Sequence, residues 1–253
     1  IDEASDRVIA GPAKTSRVYS AKEKKLVAFH EAGHVVVGLQ IDEADTVHKV
    51  TIVPRGQAGG YAIMLPKEER FFTTKQELLD RIAGLLGGRV AEEIVLGEVS
   101  TGAHNDFQKV TSIARAMVTE YGMSDKIGAT QFSSSSGGNV FLGRDFNSDQ
   151  NYSDQIAYEI DQEIQSIVNT QYERTRQILT ENRELLDLIA NTLMEKETLN
   201  AQEIEHLRDH GTLPAEEVEA ESAPNLEKAV TPTLEKAGDA NINEEVIGEA
   251  KAP

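Results

Sequence analysis

"KLVAFHEAGHVVVGL", residues 25–39, has the apolar residues of a helix that is buried in a protein core. Ser20 and Glu23 precede it with the spacing of a capping box, which predicts that the helix begins at about residue 21. His30, Glu31 and His34 lie in the middle of the stretch. Burying two imidazoles and a carboxylate is costly unless they have partners, so the sequence predicts a chemical role for this helix.

His30 and His34 are four residues apart, so a helix places both imidazoles on one face, one turn apart. In the pattern H-E-x-x-H the two histidines bind zinc and the glutamate acts as general base. Bound zinc lowers the pKa of its water to about 7, and Glu31 would take that proton and later deliver it to the leaving amine. The alternative is a chance histidine pair in an ordinary helix, which the apolar flanking residues disfavour because burial would leave the polar atoms unpaired.

A catalytic zinc site usually has three protein ligands and one open position, so a third ligand is needed. The extended pattern of the metzincin class would need Gly at position 37 and His at position 40, and Val37 and Gln40 exclude it. Three carboxylates remain as candidates: Glu92, Glu93 and Asp106. The residue pattern alone leaves the choice between them open.

The rest of the chain predicts a mainly α fold with a small β-sheet or hairpin. Two stretches rich in β-branched and apolar residues, 48–54 and 59–65, predict strands joined by the turn sequence RGQAGG. Helical periodicity and turn signals predict the other elements as helices: 74–97, about 105–122, two segments within 153–199 that break at about 181–182, and 200–207.

Composition excludes several classes of protein and site. The formal net charge of −18 disfavours nucleic acid as a partner, since the chain would repel phosphate backbones. The absence of cysteine excludes disulfides and thiolate metal ligands. No uncharged apolar run is long enough to cross a bilayer, which predicts a soluble fragment. The acidic, aromatic-free residues after Gly211 predict a disordered tail, because they cannot bury enough apolar surface.

Three motifs, in order, resemble the protease domain of the FtsH family of membrane-anchored, ATP-dependent AAA zinc metalloproteases. The motifs are FHEAGHVVVG (29–38), GLLGGRVAEEIVLGEVSTGAHNDFQKVT (84–111) and YGMSDKIG (121–128). The resemblance implies a zincin-type helical protease domain that binds one zinc ion per subunit. It assigns the metal to His30, His34 and Asp106 and the role of catalytic base to Glu31. It also implies that neighbouring polar side chains orient these ligands, with Glu92, Glu93 and Asn105 as candidates.

The same resemblance divides the chain into the end of an AAA module with its linker (1–19), a zinc metalloprotease domain (20–208) and an acidic tail (209–253). It implies a homohexameric parent that degrades unfolded or misassembled membrane and soluble proteins. The parent would be anchored in a bacterial inner membrane or an organelle membrane, with the protease on the cytoplasmic or equivalent side. The P-loop pattern is absent, so the ATP that the parent needs is not expected to bind this chain. The alternative is a catalytically inactive hexameric scaffold of the same fold.

An extended peptide beside a zincin site usually pairs with an exposed strand edge. The stretch GGYAIML (59–65) is the candidate edge. The residues predicted to bind substrate are Gly60, Tyr61, Ala62, Ile63 and Met64. The alternative is that this strand only completes the sheet.

Overall fold

The computed structural model describes residues 7, 11–12, 19–41, 46–56, 58–65, 71–132 and 152–214. Its elements are α1 (Ala21–Gln40), β1 (Thr46–Thr51), β2 (Tyr61–Leu65), α2 (Lys75–Leu96), α3 (His104–Thr119), α4 (Asp154–Glu181), α5 (Arg183–Lys196), β3 (Thr198–Asn200) and α6 (Ala201–His210). The predicted mainly helical fold with a small sheet is confirmed. Most of the predicted linker (1–19) and the tail from residue 215 lie outside the described residues.

Helix α1 begins at the predicted capping box. The Ser20 side chain accepts a hydrogen bond from the Glu23 amide, and the Ser20 amide donates to the Glu23 carboxylate at 3.0 Å. Every residue from Ala28 to Val37 is buried. This central part of the helix is therefore enclosed on all sides, which is the arrangement expected when apolar residues surround a helix rather than forming one stripe.

Helices α1 and α2 cross with their backbones in contact. A Cβ atom at Gly33 would lie 2.4 Å from the carbonyl oxygen of Gly87, and one at Gly87 would lie 2.7 Å from the carbonyl oxygen of Gly33. Only glycine fits at either position, because the opposing atoms belong to backbone and cannot move aside. The close crossing brings polar side chains of α1 within hydrogen-bond distance of α2.

The sheet is antiparallel with strand order β2–β1–β3, so β2 lies at an edge of the described sheet. Val50 of β1 pairs with Ala62 on one side and with Leu199 on the other. Strand β3 was not predicted, because the helical pattern was extended to residue 199. That prediction is wrong: Glu197 ends α5 with a left-handed φ of 62°, and the Asn200 side chain caps α6.

Helices α4 and α5 complete the core against α1 and α2. The predicted break between them is confirmed, since α4 ends at Glu181 and α5 begins at Arg183. A buried polar contact joins α4 to α2: Arg174 donates to Asp80 at 2.6 Å, and Asp80 is only 3% exposed. Across the described residues, no helix combines the length and apolar character that a membrane span requires.

Candidate metal centre

The imidazoles of His30 and His34 converge at their Nε2 atoms, which lie 3.2 Å apart. Helix α2 holds the opposite nitrogen of each ring. Nδ1 of His30 lies 2.7 Å from Oε1 of Glu92, and Nδ1 of His34 lies 2.8 Å from the carbonyl oxygen of Gly84. With both Nδ1–H groups donating to these oxygens, both Nε2 lone pairs are directed at one point, as in histidines that bind a metal.

Asp106 completes the cluster from the first turn of α3. Its Oδ2 lies 3.4 Å from Nε2 of His30 and 3.7 Å from Nε2 of His34. All three ligand atoms lie within 4.8 Å of one another, and no other such group of three occurs among the described residues. Two imidazoles and one carboxylate are a donor set that fits zinc and leaves an open coordination position.

The other two candidate carboxylates do not face this point. Glu92 contacts the far nitrogen of the His30 ring. Glu93 turns towards α4, where it accepts hydrogen bonds from Tyr172 and from Arg176, the latter at 2.6 Å. Asn105 is exposed on the first turn of α3. The geometry thus brings Asp106 to the histidines and places Glu92 as an outer partner.

The electrostatics of the cluster favour a bound cation. Burial alone would lower the pKa of His30, but hydrogen bonds with Asp106 and Glu92 raise it to about 10. Burial alone would raise the pKa of Asp106, but hydrogen bonds with the two histidines hold it well below its usual range. The nearby carboxylates stabilise a positive charge at this point. Either a proton on His30 or a metal ion between the ligands can supply that charge.

Glu31 lies beside the candidate metal ligands on α1 and is 5% exposed. Burial raises its pKa, and the nearby charges of His30 and His34 offset part of that increase. A raised pKa suits a general base, which must accept a proton near neutral pH and release it later. Its carboxylate packs against the start of β2, since a Cβ atom at Gly60 would lie 2.9 Å from its Oε1.

The predicted substrate edge therefore begins next to Glu31. Residues Tyr61 to Met64 of β2 are partly exposed, and Leu65 is 47% exposed. The hydroxyl of Tyr19 donates to the carbonyl oxygen of Gly59 at 2.5 Å and holds the chain just before the strand. The strand has both the edge position and the proximity to Glu31 that peptide pairing requires.

Two residues of the site were missed by the sequence reasoning. A Cβ atom at Gly88 would lie 2.5 Å from Nε2 of His30, so glycine at this position makes room for the imidazole. Ser100 donates to Glu92 through its amide at 2.8 Å and through its hydroxyl at 3.0 Å. The Gly-rich run GLLGG indicates that Gly88 lies where space is short. Nothing in the local pattern singles out Ser100.

Comparison with known proteins identifies the family of the chain. Residues 17–207 match peptidase family M41. The chain is 73% identical over 214 residues to the ATP-dependent zinc metalloprotease FtsH of Bacillus subtilis (strain 168), a match that covers 85% of this chain and 34% of that protein.

Two further relatives carry the same description. The FtsH of Staphylococcus haemolyticus (strain JCSC1435) is 63% identical over 220 residues, covering 87% of this chain and 30% of that protein. The FtsH of Streptococcus pneumoniae serotype 4 (strain ATCC BAA-334 / TIGR4) is 50% identical over 222 residues, covering 88% and 33%. The chain spans about a third of the length of the curated relatives that it matches.

Proposed function

This chain belongs to peptidase family M41 and corresponds to the protease domain of FtsH metalloproteases, and we propose that it is a zinc-dependent endopeptidase. One observation carries the proposal: Nε2 of His30, Nε2 of His34 and Oδ2 of Asp106 converge next to the buried carboxylate of Glu31. The donor set, the open position and the adjacent base are what metal-assisted hydrolysis of a peptide bond requires.

His30, His34 and Asp106 would hold the zinc, and Glu92 would orient His30 through its Nδ1–H. A zinc ion held by these residues would supply Lewis-acid activation of the water and of the scissile carbonyl. Glu31 accepts a proton from the attacking water as the new C–O bond forms. It then donates that proton to the amine nitrogen as the C–N bond breaks, which returns the carboxylate to its starting state.

The edge of β2 would bind the substrate as an additional antiparallel strand. Gly60, next to Glu31, marks the end of the edge nearest the base, and Tyr61, Ala62, Ile63 and Met64 continue it. Main-chain pairing does not depend strongly on side-chain identity. This mode of binding suits unfolded polypeptides of many sequences, because it needs an extended segment that most of a folded chain does not offer.

For the full-length protein we propose the organisation that the resemblance of its motifs to the FtsH family implies. An AAA module upstream of about residue 20 would bind ATP and deliver substrate, and a membrane anchor would precede that module. The protease domain would occupy residues 20–208, assemble as a homohexamer and degrade unfolded or misassembled membrane and soluble proteins. The intact set of Glu31 and the converging ligands does not favour the alternative of an inactive scaffold.

The experiment that tests this function is cleavage of an unfolded, fluorescently labelled casein by the purified chain. We expect cleavage that a chelator such as 1,10-phenanthroline abolishes and that added Zn²⁺ restores. A folded protein offered under the same conditions should remain intact. Absence of cleavage by a zinc-loaded, folded chain would count against peptidase activity of this domain in isolation.

A further inference from the structure

We propose that Ser100 and Arg89 are positioning residues that present Asp106 to the two histidines, and that Glu92 couples their position to His30. The proposal rests on the proposed metal site, and it assigns to the α2–α3 loop a role in setting metal affinity. Asp106 lies in the first turn of α3, so its position depends on how that helix begins.

The start of α3 lacks a capping side chain of its own. Its N-cap residue, Ala103, makes no side-chain hydrogen bond to the first turn. The first turn carries Asp106, so the position of this ligand depends on what anchors the preceding residues. Polar caps normally contribute about 1 kcal/mol to a helix start, and the N-cap residue of α3 does not supply that contribution.

Two side chains of α2 form hydrogen bonds with the backbone of Ser100, in the loop that precedes α3. The Ser100 amide donates to Oε2 of Glu92 at 2.8 Å. The Ser100 carbonyl oxygen accepts from Nη2 of Arg89 at 2.8 Å. Arg89 and Glu92 are three residues apart and therefore share one face of α2. One residue of the loop is thus fixed by two charged side chains.

The Ser100 side chain extends the same network towards Asp106. Its hydroxyl donates to Oε1 of Glu92 at 3.0 Å and accepts from the Gly102 amide at 3.0 Å. The guanidinium carbon of Arg89 lies 5.1 Å from the ring centroid of Phe107, the residue after Asp106. Residues before and after Asp106 in the sequence are therefore connected to side chains of α2.

Glu92 joins this loop to the other side of the metal site. Its Oε1 accepts both from the Ser100 hydroxyl and from Nδ1 of His30, at 3.0 and 2.7 Å. The residue is fully buried, so water does not compete for its oxygens. A shift of the loop would therefore disturb His30 and Asp106 together, and the two ligands act as a coupled pair.

The test is the zinc dissociation constant, measured by competition with a chromophoric chelator at fixed pH. Loss of an outer partner of a metal ligand typically weakens binding by roughly 10–100-fold. We expect about a 10-fold increase for Ser100→Ala and for Arg89→Met. The matched controls are Thr101→Ala, which removes an exposed hydroxyl from the same loop, and Arg81→Met, which removes an exposed cation from the same helix. Both controls should bind zinc as the unmodified chain does.

A double-mutant cycle shows whether Ser100 acts through Asp106. In an Asp106→Ala background, Ser100→Ala should weaken the remaining zinc binding less than it does in the unmodified chain, because only the contact through Glu92 to His30 remains. A full effect in that background, or the same dissociation constant for Ser100→Ala and Thr101→Ala, would overturn the proposal. Thermal unfolding of each metal-free variant identifies any variant that fails to fold, and Arg89→Met provides an independent variant of the same contact.

Amide hydrogen exchange of the metal-free chain separates this proposal from the proposed function. The amides of Ser100 and Gly102 should be protected, and Glu92→Ala should make both exchange at least several-fold faster. Unchanged exchange would contradict the coupling whether or not zinc binds. Protected amides in a chain that binds no zinc would contradict the proposed metal site but support the anchoring of the loop.

Discussion

Gly88 lies directly against the imidazole of His30, so closely that a Cβ atom at position 88 would stand 2.5 Å from both Cε1 and Nε2 of the ring. The ring cannot move away from position 88 without losing the contact between its Nδ1 and Glu92. Glycine at this position is therefore a condition for the arrangement of the proposed metal ligands, and the consequence can be measured.

Replacement Gly88→Ala should weaken zinc binding by at least about tenfold, because it displaces an imidazole whose orientation its outer partner fixes. Gly84→Ala is the matched control: a Cβ atom there meets nothing within 4 Å, and the carbonyl oxygen that His34 uses is retained. Alanine is also the better helix former, so Gly84→Ala should stabilise the chain by up to about 1 kcal/mol. Equal zinc affinities for the two variants, measured by chelator competition, would show that His30 is not constrained by position 88.

The third ligand is tested by comparing two carboxylates that the sequence pattern alone could not distinguish. Asp106→Ala should weaken zinc binding beyond the roughly 10–100-fold that follows loss of an outer partner. Glu93→Gln should leave it unchanged, because Glu93 faces Tyr172 and Arg176 on α4. Zinc titration of both variants checks this. Retention of tight binding by Asp106→Ala would mean that another group ligates the metal.

The substrate edge is tested with proline, which removes a backbone N–H. Successive residues of a strand direct their N–H groups to opposite edges, so Ala62→Pro and Ile63→Pro remove donors on different sides of β2. One replacement should break the ladder with β1 and lower thermal stability. The other should raise KM for casein while stability and zinc content stay unchanged, and Met64→Pro should behave like Ala62→Pro. An unchanged KM for every stable proline variant would remove the edge from the account of substrate binding.

A stability prediction concerns the buried carboxylate of Asp80. Arg174→Met removes its cation and leaves a charge that is 3% exposed with Gln76 as its remaining donor, at 2.8 Å. Loss of such a partner should cost about 3 kcal/mol in the free energy of unfolding. Arg183→Met, which breaks an exposed pair with Asp187, should cost less than about 0.5 kcal/mol. Urea denaturation compares the two, and equal costs would show that burial does not strengthen the first pair.

Capping and helical spacing were enough to predict the features that depend on residues close together in the sequence. The capping box of Ser20 and Glu23 set the start of α1, and the spacing of His30 and His34 placed both rings on one face. The choice of Asp106 over Glu92 needed the family resemblance, because the α1–α2 crossing that turns Glu92 to the outer nitrogen is a tertiary contact. Strand β3 was missed for the same kind of reason: three residues become a strand only because β1 lies beside them.

Gly88 and Ser100 show where sequence reasoning stops. From sequence alone, a glycine in a helix indicates only a weak helix former. The structure shows that the ring of His30 fills the space that a side chain at position 88 would take. A serine in a loop is equally unremarkable until Glu92 and Arg89 are seen on either side of it. Both residues act through partners that are distant along the chain, so no periodicity or local motif identifies them.

We propose that Glu31 is the base of a zinc peptidase, and the decisive test pairs zinc content with cleavage of unfolded casein for the unmodified chain and for Glu31→Gln. The glutamine keeps the shape of the side chain but cannot hold the proton of the attacking water. The account predicts one zinc ion per chain in both proteins, with cleavage only in the unmodified one. Cleavage by Glu31→Gln at the unmodified rate, or zinc bound by both proteins with no cleavage by either, would contradict it.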